Sequence, residues 1–285
     1  MITPFDSDFK IDYPALRRVI DHVIDNGADY LVILGTTGET PTLTAAEKAE
    51  VRRRAVEYTA GRVPLIAGMG GNCTAALVDE IHNTDLTGYS AILSVTPFYN
   101  KPSQEGLYRH FAEVARVSTL PVVLYNVPGR TGVNIMAETT LRLAHEFPDI
   151  IAIKEASGNI SYATTVARYL SDDFRMLSGN DDMVVPILSL GGSGVISVWA
   201  DVCPQAVHDM CANWFAGNTQ AALATQLENL ELIHSLFCEV NPIPVKAALA
   251  KMGMIGETYR SPLYTISDAG RERLYAAMRG AGLID

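Results

Sequence analysis

Short apolar runs alternate with amphipathic segments along most of the chain. Eight of the runs are rich in β-branched residues, are bounded by glycine, proline or polar clusters, and are too short for buried helices, a pattern that predicts strands. They are "ITPF" (2–5), "YLVILG" (30–35), "VPLIAGM" (63–69), "SAILSVTPF" (90–98), "PVVLYNVP" (121–128), "IIAIKEAS" (150–157), "FRMLSG" (174–179) and "GVISVW" (194–199). The unbroken apolar stretch Ile150 to Ile153 reads as a parallel strand covered on both faces. Between the runs lie helical patterns. In the first, Leu16, Val19, Ile20, Val23 and Ile24 make one stripe, with Asp12 as N-cap and Gly27 as the stop. "TAAE", Thr44 to Glu47, is a capping-box signature for the second.

Eight strands in strict alternation with helices predict an α/β fold with a parallel sheet, closed into a (β/α)8 TIM barrel. The rival, an open doubly wound sheet, wants a G-x-G-x-x-G turn after an early strand, where this chain has "GTTGE" (35–39) and "GMGGN" (68–72). Strand signals stop near residue 203. Residues 1–203 are therefore expected to form the barrel core, and 204–285 its last helix and a C-terminal helical extension.

Composition narrows the partners. A formal charge of −10 disfavours a nucleic-acid surface, which needs clustered Lys and Arg. The one basic run, Arg52-Arg53-Arg54, falls in a helical pattern and reads as a solvated face or a subunit contact. Four cysteines without a C-x-x-C pair point to a reducing compartment. No apolar run has membrane-spanning length and no signal segment is evident, so the expectation is a cytoplasmic protein without a membrane partner. All six histidines lie in helical patterns at spacings that make no metal site, and neither a metal nor a cofactor is expected.

In such a barrel the chemistry gathers at the C-terminal strand ends. Those ends read "GTTGE", "GMGGN", "TPFYN", "YNVPGRTG", "KEASGN" and "SGNDD". Lys154 shares its strand face with the small Ala152, while Ile151 and Ile153 share the other. Two readings stand: a lysine whose strand has emerged into water, or an amine nucleophile that forms a Schiff base. The second needs a neutral amine, present unperturbed in only about one molecule in 2,500 at pH 7, and desolvation favours it. Tyr125, in phase with Val123, is expected to point inward one strand away, either as a proton shuttle or as an ordinary strand aromatic. Thr36 and Thr37 sit on a tight turn suited to a carboxylate or a proton relay, or simply to a loop. Arg130 offers a fork for a carboxylate, or is a surface loop arginine. "GGSG" (191–194) precedes the eighth strand and so lies at the opposite barrel end, which removes the main support for a phosphorylated substrate.

The motifs "GTTGE", "YNVPGRTG", "IKEASGN", "SGNDD", "GVISV" and "NPIPVK" (241–246) occur in this order, and with them the chain resembles the class I aldolases of the dihydrodipicolinate synthase/N-acetylneuraminate lyase type over essentially its whole length. The resemblance implies that Lys154 forms an imine with pyruvate and that Tyr125 is the central proton-transfer group. It links Tyr125 through the Thr36 hydroxyl to Tyr99, which in the family reaches across a tight dimer interface. It assigns the pyruvate carboxylate to Thr37, the carboxylate of aspartate semialdehyde to Arg130, and pocket-lining backbone to Gly179 and Ile196. It also implies a homotetramer built as a dimer of tight dimers. An arginine after "YNVPG" fits the synthase branch of lysine and diaminopimelate biosynthesis better than siblings that cleave polyhydroxylated keto-acid sugars. A sibling lyase and a catalytically silent keto-acid binder are the alternatives. The chain departs from the family where some members bind lysine as a feedback inhibitor: Asn72 is retained, but Ala45, Lys48, Ala76 and Phe98 replace polar, acidic or phenolic ligands. Weak or absent lysine inhibition is the expectation. Asn180 stands where the family usually has Asp.

Overall fold

Six strands form in the computed structural model, which describes residues 1–285: β1 (Leu31–Ile33), β2 (Leu65–Gly68), β3 (Ala91–Val95), β4 (Val122–Asn126), β5 (Ile150–Glu155) and β6 (Arg175–Ser178). Each falls inside one of the runs expected to be a strand. The chain resolves into two compact units, one made of Met1–Pro64 with Ser197–Asp285 and the other of Leu65–Ile196.

In the unit Leu65–Ile196, strands β2 to β6 pair in chain order and all in parallel. Parallel neighbours need a crossover, and helices Thr74–Asn83, Gln104–Val117, Ala137–Glu146 and Ile160–Ala167 supply it. Every residue of β4 is buried, as expected for a strand covered on both faces. The helix Gln104–Val117 shows why a crossover stays in place. Ser103 caps it by accepting from the Gly106 amide, and its stripe of Leu107, Phe111, Val114 and Ala115 is buried. Burial of each large side chain there contributes about 1.5–3 kcal/mol.

The β4–β5 ladder contains one irregularity. Val122 pairs with Ile150, but Val123 pairs with Ala152, so β5 holds one extra residue at this point. Beyond it the register is regular, with Leu124 beside Ile153, Tyr125 beside Lys154 and Asn126 beside Glu155.

The first and last expected strands are not formed as strands. "GVISVW" contributes only a parallel bridge from Val195 to Ser178, with Ser178 N donating to Gly194 O at 2.9 Å and Ile196 N to Ser178 O at 2.9 Å. Trp199 already opens a short 3-10 turn, Trp199–Asp201. In "ITPF", Phe5 makes an antiparallel bridge to Ile11, and the Pro4 carbonyl accepts from Asp12 N. Pro4 itself has no N–H to give to a ladder.

The other unit is mainly helical. Asp12 caps helix Tyr13–Asp25 through the Ala15 amide, and Leu16, Val19, Ile20 and Val23 form its buried stripe. Gly27 follows its end with φ 97°, a backbone conformation glycine adopts without strain. Helix Ala45–Thr59 opens on the expected capping box, Thr44 and Glu47 exchanging both hydrogen bonds. The basic run on this helix is not uniform. Arg53 and Arg54 pair with Glu50 and Glu57 on the exposed side, whereas Arg52 is buried, which corrects the picture of one solvated face. Beyond residue 203 only helices follow: Pro204–Phe215, Thr219–Glu228, Leu230–Ser235, Ile243–Lys251 and Asp268–Gly280.

Candidate active site

Alternation along β5 puts Lys154 on the same side as Ala152, and the register sets it between Tyr125 of β4 and Leu177 of β6. The lysine is only 8% exposed. Its Nζ lies 4.4 Å from the centroid of the Tyr125 ring and enters no ion pair. This is the environment of a strand end packed against neighbours, and the solvated-lysine reading fails on it. Tyr125 is likewise buried.

Gly179, directly after β6, closes the space beside Lys154. Its N–H donates to Glu155 O at 2.6 Å. A Cβ at this position would lie 2.5 Å from Ala156 Cβ, 3.0 Å from Glu155 O and 3.1 Å from Lys154 Cε. Gly179→Ala is therefore expected to cost about 1–3 kcal/mol of stability through overpacking. Displacement of the lysine should also slow any reaction at its amine roughly a hundredfold. Urea titration and the rate of adduct formation at Lys154 would measure the two effects; an alanine variant with unaltered capture would show that the lysine tolerates the shift. Ile196 is buried and follows the bridge that continues from β6.

On the opposite side of the sheet edge is a polar network that the sequence reading missed. Glu155 is buried, and its carboxylate accepts from Asn126 Nδ2 at 2.9 Å and from the Ser157 amide at 2.6 Å. Asn126 also donates to Asn134 and accepts from the Ile135 amide. Burial pushes the Glu155 carboxyl above its ordinary value, and the hydrogen bonds from Ser157 and Asn126 oppose the rise. The network joins the ends of β4 and β5 to the loop after "YNVPGRTG", and so fixes the two strand ends that carry Tyr125 and Lys154.

Two expected residues of this unit are exposed. Arg130 is exposed on the short helix Pro128–Thr131. Tyr99 is 88% exposed on a backbone with φ 73°.

Thr36 and Thr37 belong to the other unit, in the 3-10 turn Thr36–Gly38 that follows β1. Thr37 is buried and its Oγ accepts from Asn241 Nδ2 at 3.0 Å. The single Thr40 hydroxyl proton is shared between the carbonyls of Leu34 and Gly35, 2.9 and 3.0 Å away, and Thr3 Oγ donates to that of Gly38. Immediately after the turn, Glu39 Oε1 accepts from Lys246 Nζ at 2.5 Å, and both side chains have no solvent exposure. Burial lowers the pKa of the Lys246 ammonium, and Glu39 works against that shift. "GTTGE" and "NPIPVK" were both visible as motifs; that they hold each other was not.

The model of the Dihydrodipicolinate synthetase family matches residues 1–281. A 4-hydroxy-tetrahydrodipicolinate synthase of Aromatoleum aromaticum is 46% identical over 283 residues, 99% of this chain and 97% of its own length. Among solved structures, the chloride-inhibited dihydrodipicolinate synthase of Acinetobacter baumannii complexed with pyruvate superposes with a TM-score of 0.96 at 38% identity, over 100% of this chain and 97% of that one. The lysine-bound enzyme of Cyanidioschyzon merolae gives 0.96 at 38% identity with the same coverage.

Proposed function

The chain belongs to the Dihydrodipicolinate synthetase family, and from that premise we propose that it is a lyase condensing pyruvate with L-aspartate 4-semialdehyde to 4-hydroxy-tetrahydrodipicolinate, a step of lysine and diaminopimelate biosynthesis. The observation that carries the chemistry is the buried amine of Lys154 on the face of Tyr125.

The neutral amine adds to the keto carbon of pyruvate, and the carbinolamine loses water to give an imine. Loss of a methyl proton turns the imine into an enamine. Its terminal carbon attacks the aldehyde carbon of the semialdehyde, whose oxygen takes up a proton. The substrate's own amine then attacks the imine carbon, the ring closes, and Lys154 leaves as the free amine. Tyr125 moves protons at the carbinolamine and enamine steps, with Thr36 and Tyr99 continuing the relay. Thr37 receives the pyruvate carboxylate, Arg130 that of the semialdehyde, and the backbones of Gly179 and Ile196 line the pocket. No cofactor enters the scheme.

Tyr125→Phe keeps the ring beneath the amine but removes the hydroxyl. Turnover is expected to fall about 10²–10⁴-fold, and the pyruvate adduct to form more slowly but on the same lysine, since the loss is in proton transfer. Unchanged turnover would remove the phenol from the relay.

A phenol as exposed as that of Tyr99 suits a role in the site of a neighbouring subunit, and the proposed assembly is a homotetramer made of two tight dimers. The parallel α/β sheet is read as part of a closed (β/α)8 barrel, residues 1–203 being its core and 204–285 its last helix and extension. No helix is long and apolar enough to cross a membrane, and the proposed location is the cytoplasm.

Lysine feedback is proposed to be weak or absent. The effector carries ammonium groups, and Ala76 offers no carboxylate to meet them. Millimolar lysine should leave the initial rate within about twofold of the control; inhibition in the micromolar range would sink the idea.

The deciding experiment is borohydride reduction in the presence of pyruvate, followed by peptide mass mapping. An adduct on Lys154 that accumulates with pyruvate, together with consumption of aspartate semialdehyde, establishes the reaction. Turnover of a keto-acid sugar in preference to the semialdehyde would move the chain to the sibling lyases. A folded protein without any adduct would leave it a keto-acid binder.

A further inference from the structure

The turn that carries Thr36 and Thr37 is bracketed by two residues in the left-handed region, Leu34 at φ 60° and Glu39 at φ 51°. Neither is a glycine, and a branched or long side chain does not adopt this conformation unless its surroundings impose it. The Thr40 hydroxyl, which opens the next 3-10 turn, Thr40–Thr42, reaches back to the Leu34 carbonyl. Glu39 is held from far along the chain: its carboxylate meets the Lys246 ammonium at 2.5 Å, and its second oxygen lies 3.4 Å from the Arg260 amide. Lys246 is in turn packed on the rings of Phe5 and Tyr259, with centroids 4.2 and 5.3 Å away.

Lys246 also fixes its own segment. It stands on helix Ile243–Lys251, just after Asn241, whose amide donates to Thr37 Oγ at 3.0 Å. A hydroxyl has one proton to give. With its oxygen already accepting from Asn241, the proton of Thr37 is left to donate, and what it then recognises is an acceptor such as a carboxylate. A fully buried ion pair is a poor source of net stability, because desolvation consumes the Coulombic gain; its better use is to select one geometry.

We propose that the Glu39–Lys246 pair is a positioning device for substrate selection: it locks the Thr36–Gly38 turn to the Asn241 segment so that Thr37 presents its proton to the carboxylate of the keto acid. The inference rests on the assignment of Thr37 to that carboxylate. The two residues touch no reacting atom and act through Thr37 and Asn241.

The test uses the full-length protein with Glu39→Gln and Lys246→Met combined, which removes both charges at once, and separately Glu39→Asp, which keeps the charge but shortens its reach. Asp is among the residues most tolerant of the left-handed backbone, so this variant carries the test should the double one fail to fold. Borohydride capture at Lys154 is followed with pyruvate and with acetone, a ketone without a carboxylate. The expected result is a rise of about tenfold in the pyruvate concentration that half-saturates capture, equivalent to about 1.4 kcal/mol, with acetone capture within about twofold of the parent. An unchanged pyruvate half-saturation in a folded variant overturns the proposal. So does a parallel loss with pyruvate and acetone, which would mean general damage rather than lost carboxylate recognition. Absence of a pyruvate adduct in the parent protein overturns the reading of the site itself, and the inference with it.

Discussion

Replacement of Lys154 by methionine is expected to reduce synthase turnover by roughly 10⁴-fold or more, because the proposed covalent path starts on its amine. Methionine keeps the length and the apolar stem, so contact with the Tyr125 ring and Leu177 survives and the fold should hold. Stability is expected to stay within about 1.5 kcal/mol of the parent, since the swap conserves volume and removes a buried amine. Lys154→Arg makes the complementary control. It places a guanidinium over the ring but supplies no neutral amine at any accessible pH, and it should be equally inactive. Turnover with pyruvate and aspartate semialdehyde is the measurement, with urea unfolding to certify the fold. More than about one per cent residual activity, accompanied by a pyruvate adduct on a different lysine, would transfer the role elsewhere.

The second large effect concerns stability. Lys246→Met alone strands the Glu39 carboxylate in a site without solvent access, and breaking a buried pair in this way costs about 3–5 kcal/mol. For a chain of this size that corresponds to a fall in melting midpoint on the order of 10 °C. Adding Glu39→Gln removes the stranded charge and should recover most of the loss, so the two changes combine far from additively. Thermal melts of the two single variants and the double one close the cycle. Additive losses would show that the two side chains do not act as a pair.

Much of the sheet was legible because it depends on local pattern. Six of the eight apolar runs became strands, each shorter than its run. "ITPF" and "GVISVW" failed for reasons periodicity does not carry: proline at position 4 lacks a ladder donor, and Val195 finds a single partner in Ser178 before Trp199 turns into a 3-10 segment. The placement of Lys154 beside Tyr125 was legible from alternation and neighbouring strands. Gly179 was marked by the family motif, but its packing against Lys154 Cε is visible only in three dimensions. The Glu39–Lys246 pair spans 207 residues of chain and the Asn126–Glu155 contact 29. A buried charge and an exposed one are written with the same letter, so neither partnership could be read from spacing.

The extra residue in β5 makes the strand tolerant of change in length in one direction only. Loss of a single residue from the Ile151–Ala152 stretch would leave a regular ladder, Val122 and Val123 meeting consecutive residues, with Lys154 still beside Tyr125 and Glu155 beside Asn126. Loss of one residue from β4 has no such slack to draw on and would set the phenol beside Ile153 or demand a second irregularity. Drift by deletion through related sequences is thus free to shorten the strand of Lys154 by one position, but not the strand that carries Tyr125.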